Sequence, residues 1–225
     1  MILPIVAYGH PALRKVASDI KEDYPGLTKF IDDIWETMYA SSGVGLAAPQ
    51  VNKDIRLFVI DTEQMFNNME EEEKKNYPDA PGQKQVFINA HIAELDGEEW
   101  LYNEGCLSIP KIREDIKRNE MVTLNYLDES FQSHTKTFHG LTARVILHEY
   151  DHIEGKLFID HISPFKRKLM KGKLDDISKG KISVDYKMLF PKLTNLAMIV
   201  KSRGSRPRST VTARTARAIP AHPTR

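Results

Sequence analysis

The run His148-Glu149-Tyr150-Asp151-His152, with Gly155 three residues on, constrains this chain more than any other stretch. Two imidazoles four residues apart share one face of a helix, one turn from each other. The flanking residues agree with a helix. Leu141, Val145, Ile146 and Tyr150 recur at helical spacing after Gly140, and Gly155 is a sound C-terminal stop. At that spacing both histidines can reach a single ion at about 2.0–2.1 Å, and Glu149 is placed to accept a proton from water. The bland competitor is a helix that merely happens to carry two histidines and a glutamate.

A catalytic metal site takes three protein ligands and leaves a position open. Candidates for the third can be taken in turn. No glutamate follows Glu154, and Phe158, where one hydrolase group places a histidine, cannot bind metal. Asp160 and His161 remain downstream, provided the chain swings back after Gly155. Upstream stands Cys106, in the segment "NEGCLSIP" (103–110), whose thiolate suits zinc or ferrous iron. A lone cysteine is more often a buried apolar residue, but beside a histidine pair short of one ligand it becomes the strongest candidate.

The rest of the chain suggests α+β. Leu27, Phe30, Ile31, Ile34 and Met38 predict an amphipathic helix over about 26–41. "SSGVGLAAPQ" (41–50) breaks it as a loop of small residues, in which Gly43 and Gly45 permit close backbone approach and Gln50 offers a neutral amide donor. Strands are expected over 55–61, 85–92, 121–127 and 134–140. Residues 71–82 form a solvated charged loop with room for a helical turn before Pro78. Residues 156–163 read as a short strand or turn, and 164–179 as one basic helix. The expected product is a single domain over 1–192, with antiparallel or mixed strands packed around the central H-E-x-x-H helix.

Charge and composition bound the partners. The net charge of +1 gives no field that favours nucleic acid, so direct nucleic-acid binding is not expected. One cysteine points to a reducing compartment, no secretory signal is visible, and no apolar run is long enough to span a membrane; a cytoplasmic protein is expected. The sum hides an asymmetry. Residues 193–225 hold seven basic and no acidic residues, so 25 basic against 31 acidic remain and 1–192 carries −6. That tail reads as a disordered or vector-derived extension, with a ribosome-binding arm as the competing reading.

Three stretches taken together resemble the peptide deformylases: Gly43-Val44-Gly45-Leu46-Ala47-Ala48-Pro49-Gln50, then Glu104-Gly105-Cys106-Leu107-Ser108, then His148-Glu149-Tyr150-Asp151-His152. The likeness covers about 1–170, and nothing beyond about 190 shares it. The resemblance implies one divalent metal per chain on Cys106, His148 and His152, with water in the fourth position. Ferrous iron is implied in the cell, with Zn2+, Ni2+ or Co2+ able to substitute. The implied reaction removes the formyl group from N-formyl-methionyl nascent peptides. Glu149 would move the proton, while Gln50 and the Leu107 N–H would stabilise the oxygen. Val44, Gly45 and Gly105 would pair with an extended substrate, Val44 also walling a methionine pocket. The implied partners are nascent chains, with the ribosome surface as a candidate. The alternatives are an H-E-x-x-H metallopeptidase using Asp160 or His161, and a structural metal or ribosome-associated protein.

Overall fold

The computed structural model describes residues 1–77 and 79–191. In chain order the elements are β1 (Ile5–Val6), α1 (Leu27–Ala40), β2 (Gly45–Ala47), β3 (Leu57–Asp61), α2 (Glu63–Asn67) and α3 (Glu71–Lys74). Then follow β4 (Lys84–Cys106), β5 (Ile109–Leu127), β6 (Ser133–His139), α4 (Gly140–Ile153), α5 (Pro164–Leu169), α6 (Lys171–Ser178) and β7 (Met188–Leu189). Strands β2 to β6 form one antiparallel sheet in sequential order, and β1 pairs in parallel with β7. This is the α+β architecture expected.

Alternation along β3 explains how the sheet sits between two helices. Leu57 and Val59 join the cluster that includes Ile31, Ile34 and Met38 of α1. Phe58 and Ile60 point the other way, into a cluster with Ala143, Val145 and Ile146 of α4. With period two, one strand feeds both layers. Phe87 of β4 anchors the α4 side, stacking on Phe58 with ring centroids 4.7 Å apart and meeting Phe138 edge-on at 5.5 Å. A third cluster, including Ile109, Ile112, Leu157, Phe158, Leu174 and Ile177, packs beneath the β4–β5 turn.

Helix α4 is enclosed along nearly its whole length; among its 14 residues only His148 and Tyr150 are not fully buried. Its ends are specified by contacts far away in sequence. The Asp79 carboxylate accepts the Thr142 N–H at 2.7 Å, filling an orphan donor of the first turn. Gly140 (φ +53°) must be glycine, because a Cβ there would lie 2.3 Å from Asp79 Oδ1.

Several boundaries differ from expectation. The strand expected at 85–92 continues to Cys106, and that expected at 121–127 is only the end of β5. Glu94, Asp96, Glu98 and Glu99 are exposed there, so no buried face imprints an alternation; the ladder to β5 holds the strand instead. The segment 164–179 is two helices, not one, meeting at Met170, where Gly172 weakens propagation across the join. Within the expected loop of small residues, Gly45–Ala47 form an edge strand and Ala48–Val51 a single 3-10 turn. Residues 156–163 contain a 3-10 turn, Phe158–Asp160. The expected tail, 193–225, lies outside the described residues.

Candidate metal centre

Three elements meet at the site: the edge strand β2, the tip of the β4–β5 hairpin, and the middle of α4. The hairpin turns on two residues, because Cys106 pairs with Ile109 and leaves Leu107 and Ser108 as the loop. Cys106 is thereby delivered to α4, where one potential ligand atom each of Cys106, His148 and His152 lie within 4.8 Å of one another. Cys106 Sγ sits 3.2 Å from His152 Nε2.

A buried ion network fixes the first histidine. Glu104 Oε2 lies 3.0 Å from His148 Nδ1, so the carboxylate accepts the Nδ1 proton and leaves Nε2 with a free lone pair. Arg118 grips Glu104 through Nε at 2.8 Å and Nη2 at 3.1 Å, and reaches Asp151 through Nη1 at 2.7 Å. Arg144 adds a bond to Glu104 at 3.1 Å and two to the carbonyls of Ile116 and Trp100. Two guanidiniums thus face two carboxylates, which is how such charges are tolerated out of water. Burial would raise the Glu104 carboxyl, but His148 and Arg118 outweigh it and hold it well below the carboxylate range.

The same crowding acts on the sulfur. Burial alone would push the Cys106 thiol up, yet the charge of His152 and hydrogen bonds to both imidazoles bring it down to about 5. A thiolate at neutral pH beside two imidazoles is a donor set suited to a borderline or soft divalent cation. The residues present therefore fit a metal.

Glu149 points into the site from the side of β2. Gly45 makes room for it: a Cβ there would lie 2.5 Å from Glu149 Oε1. Glu149 Oε2 is buried without a hydrogen-bond partner. Burial raises this carboxyl to about 7, against the lowering pull of His148 and His152. Gln50 Oε1 accepts the Ala47 N–H at 2.8 Å, which turns Nε2 inward, 3.6 Å from Cys106 Sγ and 3.5 Å from Ser108 Oγ.

A cleft of about 790 Å³ opens over these groups, lined among others by Val44, Gly45, Met65, Gly105, Leu107 and Val145. One wall is the free edge of β2, which among the described residues pairs only with β3. The Val44 carbonyl is taken by the Asp61 N–H at 2.9 Å. By alternation the Gly45 amide and carbonyl then face the open edge.

The downstream candidates are held elsewhere. Asp160 is bound by Arg14, Arg167 and the Leu157 N–H, and His161 Nε2 lies 2.7 Å from Asp151 Oδ2. Neither joins the Cys106–His148–His152 group. Phe158 is buried and stacks on the His148 ring with centroids 6.1 Å apart, so it supports a candidate ligand instead of supplying one.

Sequence reasoning missed Glu104, Arg118 and Arg144 as supports of the site. Arg144 left a signal, standing one turn before His148 on the same helix face. Arg118 left none, since its partners come together only in the fold.

A family model described as polypeptide deformylase matches residues 2–168. Curated peptide deformylases from Christiangramia forsetii and Flavobacterium johnsoniae are 54% and 53% identical, the alignments covering 85% and 84% of this chain and 97% and 96% of theirs. The crystal structure of a peptide deformylase from Legionella pneumophila superposes with a TM-score of 0.67 at 34% identity, covering 80% of this chain and 98% of the other. That from Thermotoga maritima gives 0.62 at 36%, covering 73% and 99%. Matched over most of its length by relatives that are themselves nearly fully covered, the chain belongs to the peptide deformylase family of hydrolases.

Proposed function

We propose that this protein removes the formyl group from N-formyl-methionyl nascent polypeptides, releasing formate and a free amine, in the cytoplasm and at the ribosome surface. The observation that carries the reading is the convergence of Cys106, His148 and His152 beside an open strand edge. No described helix is long and apolar enough to cross a membrane.

Cys106, His148 and His152 would hold one divalent cation, ferrous iron in the cell, with zinc, nickel or cobalt as substitutes. When bound, that cation supplies Lewis-acid polarisation and a nucleophile at neutral pH. Everything else is the work of the chain. An extended substrate adds to the free edge of β2 through the Gly45 backbone, with Gly105 on the opposite wall; recognition of main chain suits an enzyme that meets many sequences. Val44, Met65 and Val145 offer apolar surface for the methionine side chain.

As the formyl carbon becomes tetrahedral, negative charge gathers on its oxygen. Gln50 Nε2, fixed by the bond from Ala47 N–H to its Oε1, and the Leu107 N–H are the donors for that charge. Glu149 takes the proton of the attacking water and passes it to the leaving amine. A carboxyl near pH 7 is matched to both halves of that transfer.

The test is direct. Metal-loaded protein mixed with formyl-Met peptides releases formate, and Cys106→Ala abolishes both metal binding and release. A folded, iron-loaded sample that releases none overturns the proposal.

A further inference from the structure

The stretch 181–191 crosses back over the hairpin tip with alternate residues turned inward. Ile182, Val184, Tyr186, Met188 and Phe190 are half-buried, while Lys181, Ser183, Asp185, Lys187 and Leu189 are exposed. Pairing with β1 pins this stretch: the Ile5 N–H donates to the Lys187 carbonyl and the Ala7 N–H to the Leu189 carbonyl, both at 2.9 Å. Tyr186, one residue before the first of these bonds, has little freedom. Its hydroxyl donates to the Leu107 carbonyl at 2.8 Å.

That carbonyl lies in the two-residue turn between β4 and β5. The turn's second carbonyl, of Ser108, accepts the Tyr8 N–H at 2.8 Å. Both carbonyls of the turn are therefore tethered, one by a side chain and one by backbone. The Ser108 hydroxyl adds a contact near Gln50 Nε2 at 3.5 Å, and Tyr186 itself stands among the residues that line the cleft. A two-residue turn can rotate its peptide planes at small cost, and such rotation redirects N–H groups. With Cys106 fixed in β4 and the Leu107 carbonyl fixed by the phenol, residue 107 is clamped at both ends.

We infer that Tyr186 is a positioning residue: through the Leu107 carbonyl its hydroxyl keeps the Leu107 N–H aimed at the oxygen of the reacting formyl group. The inference deepens the deformylase reading and rests on it. Tyr186 touches neither the reacting atoms nor the metal ligands in this role. Its contribution appears in the transition state, where donor direction matters, and not in ground-state binding of the peptide.

Tyr186→Phe keeps the ring and its packing and removes one donor. The expected result is a kcat about 10-fold lower with KM within about two-fold, since loss of an interaction made only in the transition state lowers kcat and kcat/KM together. Metal content and Tm stay at wild-type values, and the Ser108 amide nitrogen, which shares a peptide with the tethered carbonyl, changes its 15N shift. A wild-type kcat in Tyr186→Phe overturns the inference. So does a loss matched by lost metal, or a defect that appears in Tyr186→Ala but not in Tyr186→Phe, which would assign the role to the ring. The 15N shift is read without turnover, so the two failures separate. A shifted Ser108 resonance with no formate from the wild type sinks the deformylase reading and the inference with it; an unshifted one beside an active wild type sinks the inference alone.

Discussion

The two faces of α4 are built by opposite rules. Toward the sheet it presents Ala143, Ile146 and Ile153, packed with Phe58, Phe87 and Phe138 in a cluster without charge. Toward the hairpin tip it presents Arg144, His148, Asp151 and His152, almost equally buried but held by directed bonds to Glu104, Arg118 and Cys106, with Glu149 beside them and its Oε2 without a partner. Burial on the first face stabilises the fold at about 25 cal/mol per Å² of apolar surface. On the second it costs desolvation that the ion pairs only offset. One helix therefore carries a stabilising stripe and a functional stripe, and changes on the two should separate stability from activity.

The largest separation is expected at Glu149. Glu149→Gln should lower kcat for formate release by about 10²–10⁴-fold while metal stoichiometry and Tm stay unchanged. An empty site in that variant would mean that Glu149 also builds the site, and the division between the faces would blur. Arg118→Met should show the cost of a half-broken buried network. It strips Glu104 and Asp151 of their shared guanidinium, leaving Glu104 to Arg144 and His148 and Asp151 to His161, and a stability loss of about 3–5 kcal/mol is expected in denaturant titrations. Metal affinity should fall as well, by about 10–100-fold, because Glu104 no longer orients His148 firmly. A neutral outcome would show that the network is not what holds the ligand.

Ile146→Ala probes the other stripe. Truncating this fully buried side chain should destabilise the protein by about 2–5 kcal/mol, with kcat per folded, metal-loaded molecule unchanged. A drop in kcat without a drop in stability would contradict the comparison. The smallest effect belongs to neither face. Asp160 ties the segment after α4 to Arg14 and Arg167. Burial would raise its carboxyl, but Arg14 and the Leu157 N–H outweigh that and hold it below the usual range. With the folded value depressed, the stabilisation is complete above the unfolded carboxylate pKa and is lost as pH falls through the folded one. The pair is partly exposed, so about 1 kcal/mol or less is at stake. The Tm difference between wild type and Asp160→Asn should be constant at neutral pH and shrink in acid. A difference that grows in acid would refute the assignment.

How much of this was legible in the sequence follows the same division. The sheet-facing stripe of α4 and the buried stripe of α1 write a period of 3.6, and both helices lie within a residue or two of expectation. The distal part of β4 was illegible because Glu94 to Glu99 are exposed and leave no hydrophobic rhythm. On the functional side, the His148/His152 spacing pointed to a metal, but nothing local joins Cys106 to His148, 42 residues later. Weighing the other candidates singled out Cys106, the three-motif resemblance agreed, and the two-residue turn at Leu107–Ser108 is what brings it to the helix. Glu104 stood inside a recognised motif without a role, since its work depends on Arg118 and Arg144, which only the folded chain brings alongside.

X-ray absorption of the metal-loaded protein tests the central claim most directly. The account predicts one sulfur scatterer at about 2.3 Å and two imidazole nitrogens at about 2.0–2.1 Å, the sulfur vanishing in Cys106→Ala. A shell of nitrogen and oxygen alone in the wild-type protein would contradict it.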